Sequence, residues 1–166
     1  DVVIKPGNVL EVDSFLNHQI YVPFVCVLGT EFYDVVQDRP IDKILTIEAS
    51  GIGIASLTAV YFQVPVLFAK KSAGSNMDKD LYTTEVKSYT HNKVNHVVAS
   101  KKFLSEGEHI LIDLAHQAGA IVEGVGICIE KGFQGGGDRL RAQGYDVKSL
   151  AIIEEMDAES GSITFR

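Results

Sequence analysis

The stretch KILTIEASGIGIASLTAVYFQVPVLFAKK, residues 43 to 71, decides the fold class. Lys43 to Ala49 is a short run of β-branched and aliphatic residues, the composition of a buried strand. Ser50-Gly51-Ile52-Gly53 follows as a glycine turn, Ile54 to Phe62 reads as a helix, and Pro65 to Ala69 as the next buried strand. Gln63-Val64-Pro65 closes the helix, because proline lacks the amide that would continue it. Strand, glycine turn, helix and strand make a βαβ unit, which implies a parallel sheet.

Outward from this unit the pattern stays that of one α/β domain over residues 1–166, with no internal repeat, low-complexity tract or linker to divide it. Upstream, Pro23 opens a helical pattern with Phe24, Leu28, Phe32, Val35 and Val36 at helix-like spacing. Downstream, Ser72 to Lys79 is polar and glycine-containing, the composition of a mobile loop. Tyr82 to Thr90 and Val94 to Ser100 alternate around Asn92-Lys93 as an exposed antiparallel hairpin. Ile110 to Asp113 is a buried strand ending in an acid, and Ile121 to Glu130 is the last strong strand. Gly135-Gly136-Gly137 reads as a flexible connection into a short helix beginning near Asp138.

One connection is too short. Neighbouring parallel strands need a crossover of about a dozen residues, usually containing a helix. Only residues 114 to 120 separate Asp113 from Ile121, and they resemble the last turns of a helix capped by Gly119. A segment near 113/114 is therefore expected to be missing from the sequence as written or deleted from the protein. An intact mass above 18.1 kDa identifies the first.

Composition narrows the function. With 46% hydrophobic and 22% charged residues, the chain can bury a core of its own without staples. Its formal net charge of −7 argues against a nucleic-acid face, which needs a basic stripe, and the strongest basic pairs are only Lys70-Lys71 and Lys101-Lys102. Cys26 and Cys128 sit in apolar surroundings and have no metal-type spacing. They read as core packing in a reducing, cytoplasmic compartment. The N-terminal stretch lacks the basic and apolar regions of a signal peptide. The uncharged run from Ala49 to Ala69 contains Ser50, Gly51, Gly53, Ser56, Thr58, Gln63 and Pro65, so it is not read as a membrane span.

Three places carry chemistry. Glu48 at a strand end, running into Ser50-Gly51-Ile52-Gly53, makes an anion cradle, since free amides at a helix start favour phosphate; an ordinary turn with Ser50 as N-cap has the same sequence. Lys70-Lys71 follows the neighbouring strand, and the carboxyl ends of strands form the ligand crevice of an open α/β sheet. Two lysines beside an amide cradle and a mobile loop suit a polyphosphate better than a solvated surface pair, which has the same sequence. Lys131 ends another strand, where its ammonium can donate to a carbonyl or ring nitrogen, and Phe133 can stack on a planar ring; a snorkelling lysine and a surface aromatic fit as well. Histidines 18, 91, 96, 109 and 116 show no metal-ligand spacing, and no Gly-X-Ser-X-Gly elbow supports a serine triad.

Leu10 to Ile20 (LEVDSFLNHQI), Thr46 to Ile52 (TIEASGI), Val64 to Lys71 (VPVLFAKK), Gly126 to Gln134 (GICIEKGFQ) and Gly144 to Ala151 (GYDVKSLA) together resemble the xanthine phosphoribosyltransferases, of the type I purine phosphoribosyltransferase family. SFLNHQI is the most specific of these. The resemblance implies a type I phosphoribosyltransferase fold: a central parallel sheet flanked by helices, a flexible hood loop, and a base hood formed by the N-terminal segment and residues 131–166. It implies transfer of 5-phosphoribose from phosphoribosyl pyrophosphate to xanthine, giving xanthosine 5′-monophosphate and pyrophosphate, with Mg²⁺ bound alongside the donor. By position, Leu10, Asn17, Lys131 and Phe133 would meet the base, and Glu48, Ala49, Ser50, Gly51, Ile52, Lys70 and Lys71 the pyrophosphate. Asp113 would stand as the catalytic acid at the ribose. The 5′-phosphate loop that follows that acid in the family has no counterpart here. The resemblance also implies a homodimer, to which the hairpin is a candidate contributor, and no nucleic-acid or membrane partner. Two rivals remain: a phosphoribosyl-pyrophosphate-sensing regulator on the same fold, which needs a DNA-binding element and a basic face, and a guanine or hypoxanthine phosphoribosyltransferase.

Overall fold

The computed structural model describes residues 3–6, 9–16, 18–72, 80–88, 93–112 and 120–166. In chain order the elements are β1 (Val3–Lys5), β2 (Val9–Glu11), α1 (Val22–Val36), β3 (Lys43–Ile47), α2 (Ser50–Phe62), β4 (Val66–Ala69), β5 (Leu81–Ser88) and β6 (Lys93–Ser100). β7 (His109–Ile112), β8 (Ile121–Lys131), α3 (Gly136–Ala142), β9 (Val147–Asp157) and β10 (Ser162–Phe165) complete the chain. Six strands form the central sheet in the order β10-β9-β8-β7-β3-β4. Every pair is parallel except β10 on β9, so the sheet is parallel with one antiparallel edge.

The βαβ unit is where the sequence places it, with Ile44 opposite Val66 and Ile47 opposite Ala69. Gln63 ends α2 in a left-handed conformation, its amide bonded to the Ala59 carbonyl, and Pro65 then starts extended chain. The helix begins four residues earlier than expected, however. Ser50 is its first residue, so Gly51 and Gly53 lie inside it; the N-cap is Ala49 and makes no side-chain cap. Ser50 is therefore not the N-cap. Glycine suggested a turn by propensity, but here it answers a packing need beneath the first turn.

Strand alternation divides the core between the two faces of the sheet. Ile44 and Leu111 pack with Val36, Ala55 and Ala59 under α1 and α2. Leu45, Ile110 and Ile112 pack on the other face with Ala69 from β4, Val97 and Ala99 from β6, and Leu104. The hairpin of β5 and β6 is thus not simply exposed: one arm is part of the core, tied to β4 by paired backbone bonds between Lys70 and Val98. The buried stripe of α1 is Val25, Gly29, Phe32 and Val36, while Phe24 and Val35 face out. Gly29 has the Leu57–Thr58 backbone of α2 against it, where a Cβ would sit 3.2 Å from main-chain atoms, so the close helix contact and not side-chain size sets the buried face.

β7 and β8 pair in parallel, His109 opposite Ile121, with only residues 113–120 between them. The crossover is as short as the sequence suggests; Asp113 and Leu114 to Gly119 lie outside the described residues. Gly135-Gly136-Gly137 is not a flexible connection, because α3 starts at Gly136 with Gly135 as a left-handed N-cap. β9 and β10, which no strand pattern announces, extend the same sheet.

Candidate functional site

β3, the end of β7, residues 126–129 of β8 and Lys71 beyond β4 border a crevice of about 630 Å³. The chain leaving β3 turns through Glu48 and Ala49, joined by a cis peptide, directly into α2. Glu48 hangs between two strand ends: its amide bonds the Ala69 carbonyl at 3.0 Å, and its Oε1 accepts from the Lys71 amide at 2.8 Å. Glu48, Ser50, Gly51 and Lys71 line the crevice together, at the positive end of the α2 dipole. A helix start favours negative charge, and Lys71 stands in the same wall. Gly51 is required there: an added Cβ would lie 2.2 Å from the Thr46 hydroxyl oxygen beneath it.

Other sequence-derived candidates stand near the crevice but not in its wall. Lys70 lies with its ammonium 5.9 Å from the Phe68 ring centre, and Ala49 and Ile52 are not lining residues. Leu10 is the middle residue of β2, and the wall is instead reached by Val12 and Leu16, which sequence reasoning did not single out. Leu16 is buried and bridges to Ile20, while Phe15 stacks edge-on against Phe24 at 5.5 Å. These contacts seat the segment that carries Asn17 against the start of α1. Asn17 itself, like Asp113 and residues 73–79 of the expected mobile loop, lies outside the described residues.

Lys131 is the last residue of β8, two places beyond the crevice-lining Ile129, and its partner in β9 is the fully buried Ile153. Burial lowers its pKa below that of an ordinary lysine. Phe133 follows in a 3-10 turn, half exposed, and borders a separate acidic recess with Glu154, Glu155 and Asp157. Beside Lys131, Glu130 is buried and held by both guanidinium nitrogens of Arg141, at 3.0 and 2.8 Å. That pairing holds its carboxyl below the usual glutamate value, aided by the Ser149 hydroxyl and opposed by burial. At the opposite end of the strands, burial works against the Glu108 charge, but Lys43 and the Ser105 amide outweigh it and leave the carboxyl lowered.

The pH dependence follows from these two acids. A depressed folded pKa means that the unfolded chain takes up protons first, so the stabilisation is complete above the ordinary value of 4.5 and is lost as pH falls through the folded value. Denaturant midpoints are expected to hold from neutrality to about pH 5 and then fall, and Glu130→Gln should flatten part of that fall. Equal acid slopes in wild type and variant would contradict the assignment.

Solved structures share this architecture. The Giardia lamblia adenine phosphoribosyltransferase, complexed with 9-deazaadenine, matches 92% of this chain and 92% of its own with a TM-score of 0.73 at 13% identity. The adenine phosphoribosyltransferase of Rhodothermus marinus matches the same shares at 0.67 and 16%. The fold is that of the type I phosphoribosyltransferases. Curated sequences are nearer still: xanthine phosphoribosyltransferases of Bifidobacterium adolescentis and Lachnoclostridium phytofermentans are 53% and 46% identical, over 98% and 100% of this chain and 93% of each relative. The chain belongs to the xanthine phosphoribosyltransferase family. No family model matches it. The Bifidobacterium adolescentis alignment spans 179 positions against 166 residues here, so at least 13 positions (179 less 166) have no residue of this chain.

Among the described residues, no helix is long and apolar enough to cross a membrane, and no three His, Cys, Asp or Glu side chains are grouped to hold a metal ion.

Proposed function

We propose that this chain transfers 5-phosphoribose from phosphoribosyl pyrophosphate to xanthine, releasing pyrophosphate and xanthosine 5′-monophosphate. The observation that carries the reading is its 46–53% identity, over 98% or more of the chain, to proteins named for that activity. The crevice supports it with an amide-rich helix start and Lys71, which can take the negative charge that builds on the departing pyrophosphate. No protein nucleophile is needed: the bond from the anomeric carbon to pyrophosphate breaks, a ring nitrogen of the base forms the new bond, and that nitrogen's proton is lost. Catalysis is then positioning and charge stabilisation.

Glu48, Ala49, Ser50, Gly51 and Ile52 hold the pyrophosphate in this reading, with Lys71 opposite and Lys70 behind it. Lys131 donates to the oxo edge of the base, where the amino group of adenine would present no acceptor. Phe133 covers the ring, Leu10 and Asn17 approach from the N-terminal segment, and Asp113 meets the ribose. The donor set fits a Mg²⁺ ion carried by ligand phosphates and water, since Glu48 is the carboxylate at the crevice among the described residues and Mg²⁺ is commonly held by one or two carboxylates plus substrate phosphates. When bound, the ion supplies further neutralisation of the leaving group.

The test is turnover of the donor with xanthine, guanine, hypoxanthine and adenine in separate reactions. Nucleotide formed fastest from xanthine is expected. Faster turnover of guanine or hypoxanthine would move the assignment within the fold, and binding of the donor without turnover would favour a sensor.

We also place the unmatched alignment positions between Ile112 and Ala120, where the parallel crossover is shortest. Tryptic digestion of the native protein is expected to give a peptide that begins at Phe103 and departs from the written sequence after Ile112. A peptide of the mass of residues 103–131 would refute that placement. The family implies a homodimer, and Val22, Val27 and Val60 stand exposed on α1 and α2. Sedimentation at twice the chain mass is expected. A cytoplasmic location accords with Cys26 and Cys128 being outside any disulfide, each half-buried.

A further inference from the structure

Glu130 is an unusual residue to find at the end of a core strand. Its side chain is 3% exposed, and burying a carboxylate is unfavourable unless it is paired and hydrogen-bonded. Every contact around it meets that need. Arg141 of α3 grips it in bidentate fashion, Nη1 on Oε1 and Nη2 on Oε2, and also reaches Asp138 at 3.3 Å. Ser149 of β9 donates to Oε2 and stands 3.4 Å from the same guanidinium. Gly137 of α3 leaves the room, since a Cβ at 137 would lie 2.0 Å from Oε1 and 2.8 Å from Arg141 Nη1. One carboxylate thus locks β8, α3 and β9 to one another.

Buried ion pairs add little net stability, because desolvation offsets the attraction; what they can add is a fixed geometry. The lock is at the position directly before Lys131, and the turn after Lys131 is pressed on β9 as well, a Cβ at Gly132 falling 3.1 Å from Ile152 Cγ2. We propose that Glu130, clamped by Arg141 and Ser149, is a positioning residue for base recognition: it fixes the end of β8 so that Lys131 and Phe133 meet the purine with a set orientation. This rests on the phosphoribosyl-transfer reading above and adds to it a residue that touches neither substrate.

The clamp ties β8, α3 and β9, while the pyrophosphate turn is carried by β3 and α2 and, among the described residues, makes no bond to it, so the clamp should act on one substrate and not the other. Glu130→Gln keeps the shape and removes the charge. It is expected to raise KM for xanthine about tenfold while KM for phosphoribosyl pyrophosphate stays within about twofold. Gly137→Ala, which pushes on the same carboxylate from α3, should reproduce that split. The double variant Glu130→Met/Arg141→Leu separates positioning from folding: its melting temperature should equal or exceed the wild type's, with KM for xanthine still raised. Equal shifts in both KM values, or a base affinity that recovers with the melting temperature in the double variant, would overturn the proposal. Wild-type protein that turns over no base would remove the functional reading first and the proposal with it, an outcome distinct from wild-type turnover with parallel losses in the variants.

Discussion

Gly51→Ala is expected to lower kcat/KM for phosphoribosyl pyrophosphate by about 100-fold, and adding Thr46→Ala should restore most of it. The new methyl group would sit 2.2 Å from Thr46 Oγ1 but 3.5 Å from Thr46 Cβ, an ordinary contact. Thr46 is buried and branched at Cβ, so its side chain has little freedom to turn away, and the first turn of α2 must lift instead. Lifting it carries the amides of the proposed pyrophosphate cradle with it, and a misplacement of about 1 Å at such a site costs about two orders of magnitude. Steady-state kinetics with saturating xanthine on both single variants and the double variant decide the matter. A single Gly51→Ala variant as active as wild type would mean that the donor is not held at this helix start.

The second large effect concerns stability and not turnover. Lys43, 9% exposed at the start of β3, places its ammonium 2.7 and 2.8 Å from the two Glu108 oxygens and also donates to the Phe103 carbonyl. Glu108→Ala leaves that ammonium without its counter-charge and the Ser105 amide without its acceptor. The pair is partly buried, the Glu108 side chain being 27% exposed, so removing one partner costs about 2 kcal/mol, which lowers the melting temperature of a chain this size by roughly 4–8 °C. Lys43→Met/Glu108→Leu, which removes both charges, should regain most of that loss. Because this pair is at the end of the strands opposite the crevice, kcat per folded molecule should stay near wild type in both variants. A Glu108→Ala protein that melts with the wild type would show that the pair is solvated and of little weight.

Residues 43–71 were legible because every local signal agreed: β-branched strands, a helix of the right length, and a proline after its end. The same reasoning misplaced the start of α2, since glycine at 51 and 53 looks like a turn unless the Thr46 and Ile20 side chains against them are known. The apolar spacing of Phe24, Leu28, Phe32, Val35 and Val36 announced α1 but not its buried face, which is Val25, Gly29, Phe32 and Val36, because closeness between helices favours the smallest residue and apolar spacing marks the largest. β9 was not foreseen because its outer half, Glu154 and Glu155 included, carries charge at consecutive positions and breaks the alternation of a half-buried strand. At the site, Glu48, Ser50, Gly51 and Lys71 could be found from their places after strands. Leu16 and Thr46 could not, since nothing in an apolar or hydroxylated residue announces that it lines a crevice. Glu130 was hidden for another reason: an acid beside a lysine reads as surface until Arg141, Ser149 and Gly137 are seen around it.

β8 runs for eleven residues, its register on β7 shifting once at Glu123, and continues from Val125, packed in the middle of the sheet, to Lys131 at the rim. No seam divides the part of the molecule that holds it together from the part proposed to choose the purine. An exchange of recognition segments between relatives would therefore transplant a length of the main sheet. A deletion of one residue between Val125 and Glu130 would present Lys131 on the opposite side, because side chains alternate along this regular part of the strand. In such an architecture, new base preferences are reached by single substitutions on a fixed register and not by trading modules.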